Sequence, residues 1–383
     1  MRHHYNRVHS LDGLRVLAEF SIVHYDIFGA EGYLAQPVIE DLSSMFFVLS
    51  GFVVAYKYDS DSDSRVVLRR RILGRVLPVY VLSLLANLPV DAPRLASCRL
   101  YPLYVLAQLS MMTPWLGMGH VMTLNGPSWY VACLVWLWIG FELSPAVWPF
   151  SRWPLPSLVV LYVLSCGLFV LATPLYYVDI RSLPILRGFE FAMGCCVAHA
   201  LLDGHRLYHW GVSAVVLAVL TSVLGVYYAF EWASYGYDEN FVEGTNGTLC
   251  SMPWKSNGRE YSKDLSMRYV YSRSSLLWAA LIFVLAHDDI HGKSIPLVMD
   301  FIRNQSIHLL NRFSLELYLY HTVAAAAVTN ASRLAGIGGL WTQPTLLITV
   351  YIIACMMHEH VHPFFREIWA LVRRPSSVAV VTA

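Results

Sequence analysis

The chain has 383 residues, of which 56% are hydrophobic and 14% are charged, and its mean hydropathy is +0.49. Soluble domains carry roughly 25% charged residues, so this composition excludes an ordinary soluble protein and predicts a polytopic membrane protein. The formal net charge is +1, from 27 basic and 26 acidic residues, and the basic residues lie in short loops rather than in one stripe. Nucleic acid is therefore excluded as an expected partner.

Apolar segments recur along the whole chain at the length that crosses a bilayer, about 20 residues. The predicted fold is all-α, a single transmembrane domain over 1–383 with about ten membrane helices. The shorter apolar stretch 100–113 is expected to lie at the interface or to re-enter, and Asp300 and Arg303 interrupt 295–310. The ten segments are 11–29, 41–58, 75–91, 127–149, 155–173, 184–202, 209–230, 273–288, 312–330 and 343–362.

Loop charge predicts the orientation, because short cytoplasmic loops carry most Lys and Arg. The distribution favours both termini on the cytoplasmic side and a first span that is retained, in the plasma membrane or an endomembrane. The hydrophilic segment 231–272 is then an external loop insertion, where acceptor selectivity or partner contact is expected. Cys98 and Cys250 fall in external segments, where they form a disulfide or stay as separate thiols.

The first predicted span contains Asp12, Arg15 and His24. Ionisable residues are costly in a bilayer, so several of them indicate a functional site. His24 is the candidate general base because imidazole titrates near neutral pH; the alternative is a histidine satisfied by a neighbouring helix. Arg15 lies about 13 Å from His24 along the helix and on the opposite face, which favours a structural or donor-site role. Asp12 is placed to cap the helix start.

The second span and the loop after it add candidates for packing and for phosphate binding. Ser50 and Gly51 allow close helix approach or leave a narrow passage, and no spaced Ser-His-Asp signature supports Ser50 as a nucleophile. Arg71 and Arg75 are four residues apart, so on a helix they present two guanidinium groups on one face. The alternative is a basic anchor at the lipid headgroups.

Two later spans contain further candidates. Glu190 follows Arg187 at a spacing of three, which favours an intramembrane ion pair over a role in orienting an acceptor. His321 is the second candidate base, with packing or hydrogen bonding as the alternative. Neither a metal-ligand spacing nor a nucleotide-binding fingerprint occurs in the sequence, so no metal and no bound cofactor are expected.

Several of these motifs, in this order, resemble the acyltransferase 3 family of integral-membrane O-acyltransferases. The resemblance covers nearly the whole chain, and the order of the motifs is more specific than any one of them. The segments are Leu11-Asp12-Gly13-Leu14-Arg15 with His24, Phe46-Phe47-Val48-Leu49-Ser50-Gly51-Phe52, Arg71 and Arg75 before Pro78-Val79-Tyr80, Asn125-Gly126-Pro127-Ser128-Trp129-Tyr130, Leu186-Arg187-Gly188-Phe189-Glu190-Phe191-Ala192-Met193-Gly194, and Ser314-Leu315-Glu316-Leu317-Tyr318-Leu319-Tyr320-His321.

The resemblance implies transfer of an acyl group, often acetyl, from an acyl-CoA co-substrate to a hydroxyl of a carbohydrate or lipid-linked glycan. Such chemistry needs a base, cations for the donor phosphates and an oxyanion stabiliser, and the residues do not identify the last. The expected partners are acyl-CoA, the glycan or lipid acceptor and membrane lipids. The implied site has His24 as base, Arg71, Arg75 and Arg15 at acyl-CoA, and Asp12, Ser50, Glu190 and His321 in support.

Two departures from the family pattern keep a second class of function open. The family usually spaces its arginine pair by three, where this chain has Ile72 before Arg75, and it often carries a glutamate where this chain has Leu134. Buried polar residues also mark transporters, so a non-catalytic carrier on the same fold is the alternative. The chain lacks the paired Gly/Pro-interrupted helices typical of transporters, and dependence on acyl-CoA separates the two functions.

Overall fold

The fold is known from a computed structural model, which describes residues 8–28, 36–58, 72–95, 101–116, 124–143, 153–172, 182–202, 260–291, 304–336, 342–361, 363–364 and 367. Within these residues the regular structure is entirely helical. The helices are α1 (His9–Phe28), α2 (Gln36–Tyr58), α3 (Leu77–Leu95, preceded by the π-helical turn Ile72–Val76), α4 (Tyr101–Leu109), α5 (Ser128–Leu143), α6 (Pro154–Ala172), α7 (Pro184–Leu202), α8 (Glu260–His291), α9 (Gln305–Asn311), α10 (Ser314–Leu334) and α11 (Thr342–Met356, followed by the π-helical turn Met357–Val361).

The all-α prediction is confirmed for the described part of the chain, and the predicted segments that fall there are helical. The segment 209–230 lies outside it. The stretch 100–113 forms the short helix α4 followed by turns. One boundary differs from the prediction, because α8 begins at Glu260 and the end of the predicted loop 231–272 is therefore helical. Neither glycine nor proline occurs in α8, so nothing in this sequence stops the helix there.

Among the described residues, length and composition identify two helical stretches able to cross a membrane, Ile72–Pro89 and Pro184–Leu202. Four shorter apolar helical stretches accompany them, Leu42–Lys57, Ser128–Leu143, Pro154–Leu168 and Thr345–Val361. This is fewer than the ten predicted spans. The ten-span topology and the cytoplasmic position of both termini stay predictions.

The outer face of α6 is apolar. Val159, Val160 and Val163 are each more than half exposed, and Leu155 and Leu164 lie on the same helix at 49% and 48% exposure. A helix packed against a protein core in water normally turns a polar face outward. A contiguous surface of leucine and valine indicates an apolar neighbour such as lipid or another protein.

Helices α2 and α7 form the most extensive contact in the bundle, and glycines make it close. A Cβ at Gly51 would lie 1.8 Å from the backbone oxygen of Phe191, and one at Gly194 would lie 1.9 Å from that of Val48. The Cys195 thiol also reaches the Gly51 carbonyl at 3.4 Å. The prediction that the Ser50-Gly51 segment permits close helix approach is therefore confirmed at Gly51.

The start of α1 is fixed by tertiary contacts. The Ser10 N–H donates to Asp289 of α8 at 2.6 Å, and the Ser10 hydroxyl donates to the Leu285 carbonyl at 3.2 Å. An acidic side chain at this position stabilises the helix start, so the carboxylate of Asp289 caps α1 from another helix. Asp12 instead accepts a hydrogen bond from the Asn311 amide of α9 at 2.7 Å.

Candidate active site

A histidine and a carboxylate meet inside the bundle, where α1 packs on α10. The Nε2 atom of His321 lies 2.9 Å from an oxygen of Asp26. The side chain of His321 is fully buried and that of Asp26 is 31% exposed. A base held by a carboxylate is the arrangement that general-base and nucleophilic catalysis use to fix an imidazole. His321, the second candidate base from the sequence, therefore has an orienting partner.

The hydrogen bond to Asp26 also assigns the tautomer of His321. An ionised carboxylate only accepts hydrogen bonds, so Nε2 carries the proton and donates it to Asp26. The lone pair then lies on Nδ1, which is buried and has no hydrogen-bond partner among the described residues. A buried polar atom without a partner is costly, and a catalytic role is one explanation for it. Nδ1 is thus the atom positioned to take a proton.

His24 lies on another flank of α1. It is two residues before Asp26, which corresponds to about 200° of rotation on a helix. The ring of His24 lies 6.3 Å from that of Phe20, and the Phe20 ring lies 6.3 Å from that of Tyr351 on α11. His24 is therefore on the α11 side of α1, whereas Asp26 is on the α10 side. The base role of His24 stays a prediction.

A chain of aromatic side chains connects His321 to the middle of the bundle. The ring of His321 lies 6.1 Å from that of Tyr318, which lies 5.5 Å from that of Tyr130 on α5. Tyr130 lies 4.9 Å from Phe47 on α2, whose ring lies 5.1 Å below the guanidinium carbon of Arg187 on α7. Segments that are far apart in the sequence are thus brought together in one core.

Arg187 and Glu190 form the buried ion pair that their spacing predicts. Both side chains are at most 1% exposed, and the guanidinium group lies 2.9 Å from the carboxylate. The hydroxyl of Ser44 donates to Glu190 at 2.8 Å, and the Arg187 guanidinium also lies over the ring of Trp129 at 5.8 Å. Burial of two ions is tolerated because each is paired and hydrogen-bonded. The predicted pair is confirmed, and it locks α7 to α2 and α5.

Replacement of Arg187 by alanine is expected to lower the free energy of unfolding by about 3–5 kcal/mol, because it leaves the carboxylate of Glu190 buried without its cation. The double variant R187M/E190L removes both charges and should be markedly more stable than R187A. Denaturant unfolding of the detergent-solubilised proteins measures both values. An R187A variant as stable as the unmodified protein would contradict the ion-pair account.

Asn125 organises the segment before α5. Its side-chain amide donates to the Ser83 hydroxyl and to the Leu319 carbonyl, each at 3.0 Å. The backbone carbonyl of Asn125 accepts a hydrogen bond from the Ser128 hydroxyl at 2.6 Å, where α5 begins. The Ser128 hydroxyl in turn accepts from the Gln108 amide at 2.7 Å. Asn125 thereby connects α3, α5 and α10. Its contact on α10, Leu319, is two residues before His321.

Two residues discussed from the sequence have packing roles. The Ser50 hydroxyl accepts a hydrogen bond from the indole of Trp138 at 2.9 Å, which joins α2 to α5. Leu134, where the resembled family often has a glutamate, is buried in an apolar cluster with Phe47, Trp129 and Cys133. A carboxylate at this position would lie in an apolar environment.

Basic residues lie toward the end of the bundle where α1 and α10 begin. The Arg75 guanidinium donates to the Arg312 carbonyl at 2.8 Å, in an exposed setting. Arg15 interacts electrostatically with the buried Glu19. The carboxylate of Glu19 also accepts a hydrogen bond from the hydroxyl of Ser314. Arg71 lies outside the described residues, as do Cys98 and Cys250. The phosphate-binding role of the Arg71 and Arg75 pair stays a prediction.

Sequence reasoning passed over Asp26 and Asn125. Asp26 is an ionisable residue in the same apolar segment as His24, so the cost of charge in a bilayer is a signal that could have identified it. Asn125 belongs to one of the segments that resemble the family, but its contacts depend on α3 and α10, which are distant in sequence.

Comparison with known proteins identifies the family of the chain. The family model for acyltransferase 3, described as an acyltransferase domain, matches residues 8–358. No curated protein and no solved structure matches the chain. The matched region contains all of the helices and the residues of the buried core described above. The chain belongs to the acyltransferase 3 family.

Proposed function

We propose that the protein is an integral-membrane O-acyltransferase that moves an acyl group, acetyl in the simplest case, from acyl-CoA to a hydroxyl of a carbohydrate or lipid-linked glycan. The observation that carries the proposal is the His321–Asp26 pair at 2.9 Å, in a chain whose family is defined by acyl transfer. A buried imidazole with an orienting carboxylate fits removal of a hydroxyl proton.

The proposed reaction is direct transfer. The acceptor hydroxyl gives its proton to Nδ1 of His321 as its oxygen attacks the thioester carbon. The C–S bond then breaks, the acyl group stays on the acceptor as an ester, and the imidazolium returns the proton to the CoA thiolate. Asp26 holds the ring and stabilises the imidazolium. His24 is the alternative base, from the sequence resemblance.

The donor is proposed to bind with its phosphates at the end of the bundle that carries Arg75 and Arg15. His321 lies about 10 Å along α10 from Ser314, the first residue of that helix, so base and phosphate site are at different depths. This separation suits a donor whose charged nucleotide stays outside while its long arm brings the thioester to the buried imidazole. Arg71 is proposed as a second phosphate ligand.

The R75A variant is expected to raise KM for acyl-CoA about 10–100-fold with a much smaller change in kcat, because charge-assisted hydrogen bonds contribute about 1.5–3 kcal/mol. The measurement is steady-state kinetics with varied acyl-CoA. Lys57 is an exposed cation at the end of α2, so K57A is the matched control and should leave KM unchanged. An unchanged KM in R75A would contradict a phosphate-binding role for Arg75.

Membrane integration is supported by the two helical stretches long enough to span and by the apolar outer face of α6. We propose about ten spans with both termini in the cytoplasm, in the plasma membrane or an endomembrane. This orientation places Arg75 on the side where acyl-CoA is made. Reaction of single introduced cysteines with a membrane-impermeant reagent tests it.

Acceptor-dependent release of free CoA is the experiment for the proposed function. The purified protein is given acetyl-CoA and a panel of glycans, and the H24A and H321A variants are measured beside it. Release of CoA that depends on the acceptor and is lost in H321A supports acyl transfer with His321 as base. Loss of release in H24A alone supports His24 as base. Solute movement across proteoliposomes without thioester consumption would instead indicate the carrier.

A further inference from the structure

Two histidines and an aspartate meet at the junction of α1 and α9, away from the His321–Asp26 pair. Ligand atoms of His9, Asp12 and His308 all lie within 4.8 Å of one another. The rings of His9 and His308 are 4.8 Å apart between centroids and are inclined at 69°. The Nδ1 atom of His308 lies 3.7 Å from the Asp12 carboxylate. Two imidazoles and one carboxylate thus lie close enough together to share one ion.

Neighbouring side chains orient these groups, as they do the ligands of a metal site. One Asp12 oxygen accepts the Asn311 amide at 2.7 Å, which fixes the carboxylate. Nδ1 of His308 is buried and has no hydrogen-bond partner among the described residues, and neither has the Asn311 side-chain oxygen. Ligating groups are typically oriented by such second contacts, and a bound cation would satisfy the unpaired buried Nδ1 of His308.

We propose that His9, Asp12 and His308 bind a divalent transition-metal ion of the zinc type and so clamp the start of α1 to α9. Ligands at 2.0–2.1 Å in a tetrahedron lie about 3.3 Å from one another. The 3.7 Å separation of Asp12 and His308 needs little change to reach this, and the exposed His9 side chain is free to close the remaining distance by rotation.

The donor set selects the class of ion. Imidazole nitrogens with one carboxylate oxygen suit zinc and its neighbours, whereas calcium and magnesium take oxygen ligands. Three protein ligands are also the number found in zinc sites that keep one position for water or a substrate. The inference does not depend on acyl transfer, because its residues lie outside the proposed base pair.

Cobalt binding to the full-length protein is the test, with zinc as competitor. The protein is purified in detergent through a tag without histidine and is dialysed against a chelator. One equivalent of Co²⁺ should give the visible absorption of a four-coordinate site, and Zn²⁺ should displace it. H9A, H308A and N311A should each weaken binding at least 10–100-fold, because even second contacts have that effect on metal affinity.

Controls separate metal binding from folding. His9 is exposed, so H9A should keep the fold even where H308A does not, and the exposed His360 provides the control variant H360A with unchanged affinity. Zinc should also raise the thermal midpoint of the unmodified protein and of H360A but not of H9A. Binding of less than one equivalent by the unmodified protein, or equal affinity in H9A, would overturn the proposal.

Discussion

Replacement of His321 by alanine is expected to lower kcat for acyl transfer about 10²–10⁴-fold, the usual contribution of a positioned general base. KM for acyl-CoA should change little, because the donor phosphates are proposed to bind near the start of α10, about 10 Å along the helix from His321. The D26N variant should also lose kcat, since an amide does not stabilise the imidazolium that forms when Nδ1 takes the proton. Steady-state kinetics with a fixed acceptor provide both values.

A second histidine–carboxylate pair in the bundle provides the matched control. His358 lies 3.0 Å from Glu316, a separation close to that of His321 and Asp26. Glu316 is in the first turn of α10, so this pair lies at a different place on the helix from His321. H358A should keep kcat within a few-fold of the unmodified enzyme. Equal activity in H321A, with H24A inactive, would contradict the assignment and restore His24 as base. Equal losses in H321A and H358A would indicate a general structural effect.

Replacement of Gly51 by alanine is expected to destabilise the protein by about 3 kcal/mol or more, enough to prevent folding of a marginally stable bundle. The added Cβ would lie 1.8 Å from a backbone oxygen of α7, and backbone gives way less readily than the end of a flexible side chain. G194A should behave in the same way, because its Cβ meets the backbone of α2. Thermal unfolding of the detergent-solubilised variants measures the effect.

Gly167 is the matched control for these glycines. It lies in α6, and a Cβ there meets nothing within 4 Å. G167A should therefore stabilise the protein by about 0.5–1 kcal/mol, since alanine loses less backbone entropy in a helix. A G51A protein with the midpoint of the unmodified protein would show that α2 and α7 are farther apart than described.

Local patterns predicted the parts of this structure that depend on local spacing. Most helices follow from apolar length, and the Arg187–Glu190 pair follows from a spacing of three on one helix. The close approach at Gly51 follows from a small residue in an apolar span, because only a glycine lets the backbones touch. Each of these features is decided by residues within one or two turns of helix.

Contacts between residues far apart in the chain could not be predicted from the sequence. Asp26 and His321 come from α1 and α10, and no spacing rule joins a carboxylate to an imidazole across the whole bundle. The His9, Asp12 and His308 cluster has the same character, which explains why no metal-ligand spacing signals it. The helical end of the predicted loop 231–272 was missed because its polar residues suggest a loop, although α8 contains no helix breaker.

The central claim is that the protein transfers an acyl group to oxygen. The most direct measurement follows radiolabelled acetyl from acetyl-CoA into a glycan acceptor with the purified protein in proteoliposomes. The account predicts label on the acceptor in an alkali-labile ester, free CoA in equal amount, and loss of both in H321A. Label that never leaves CoA while acceptor crosses the bilayer, or label held in an alkali-stable amide, would contradict it.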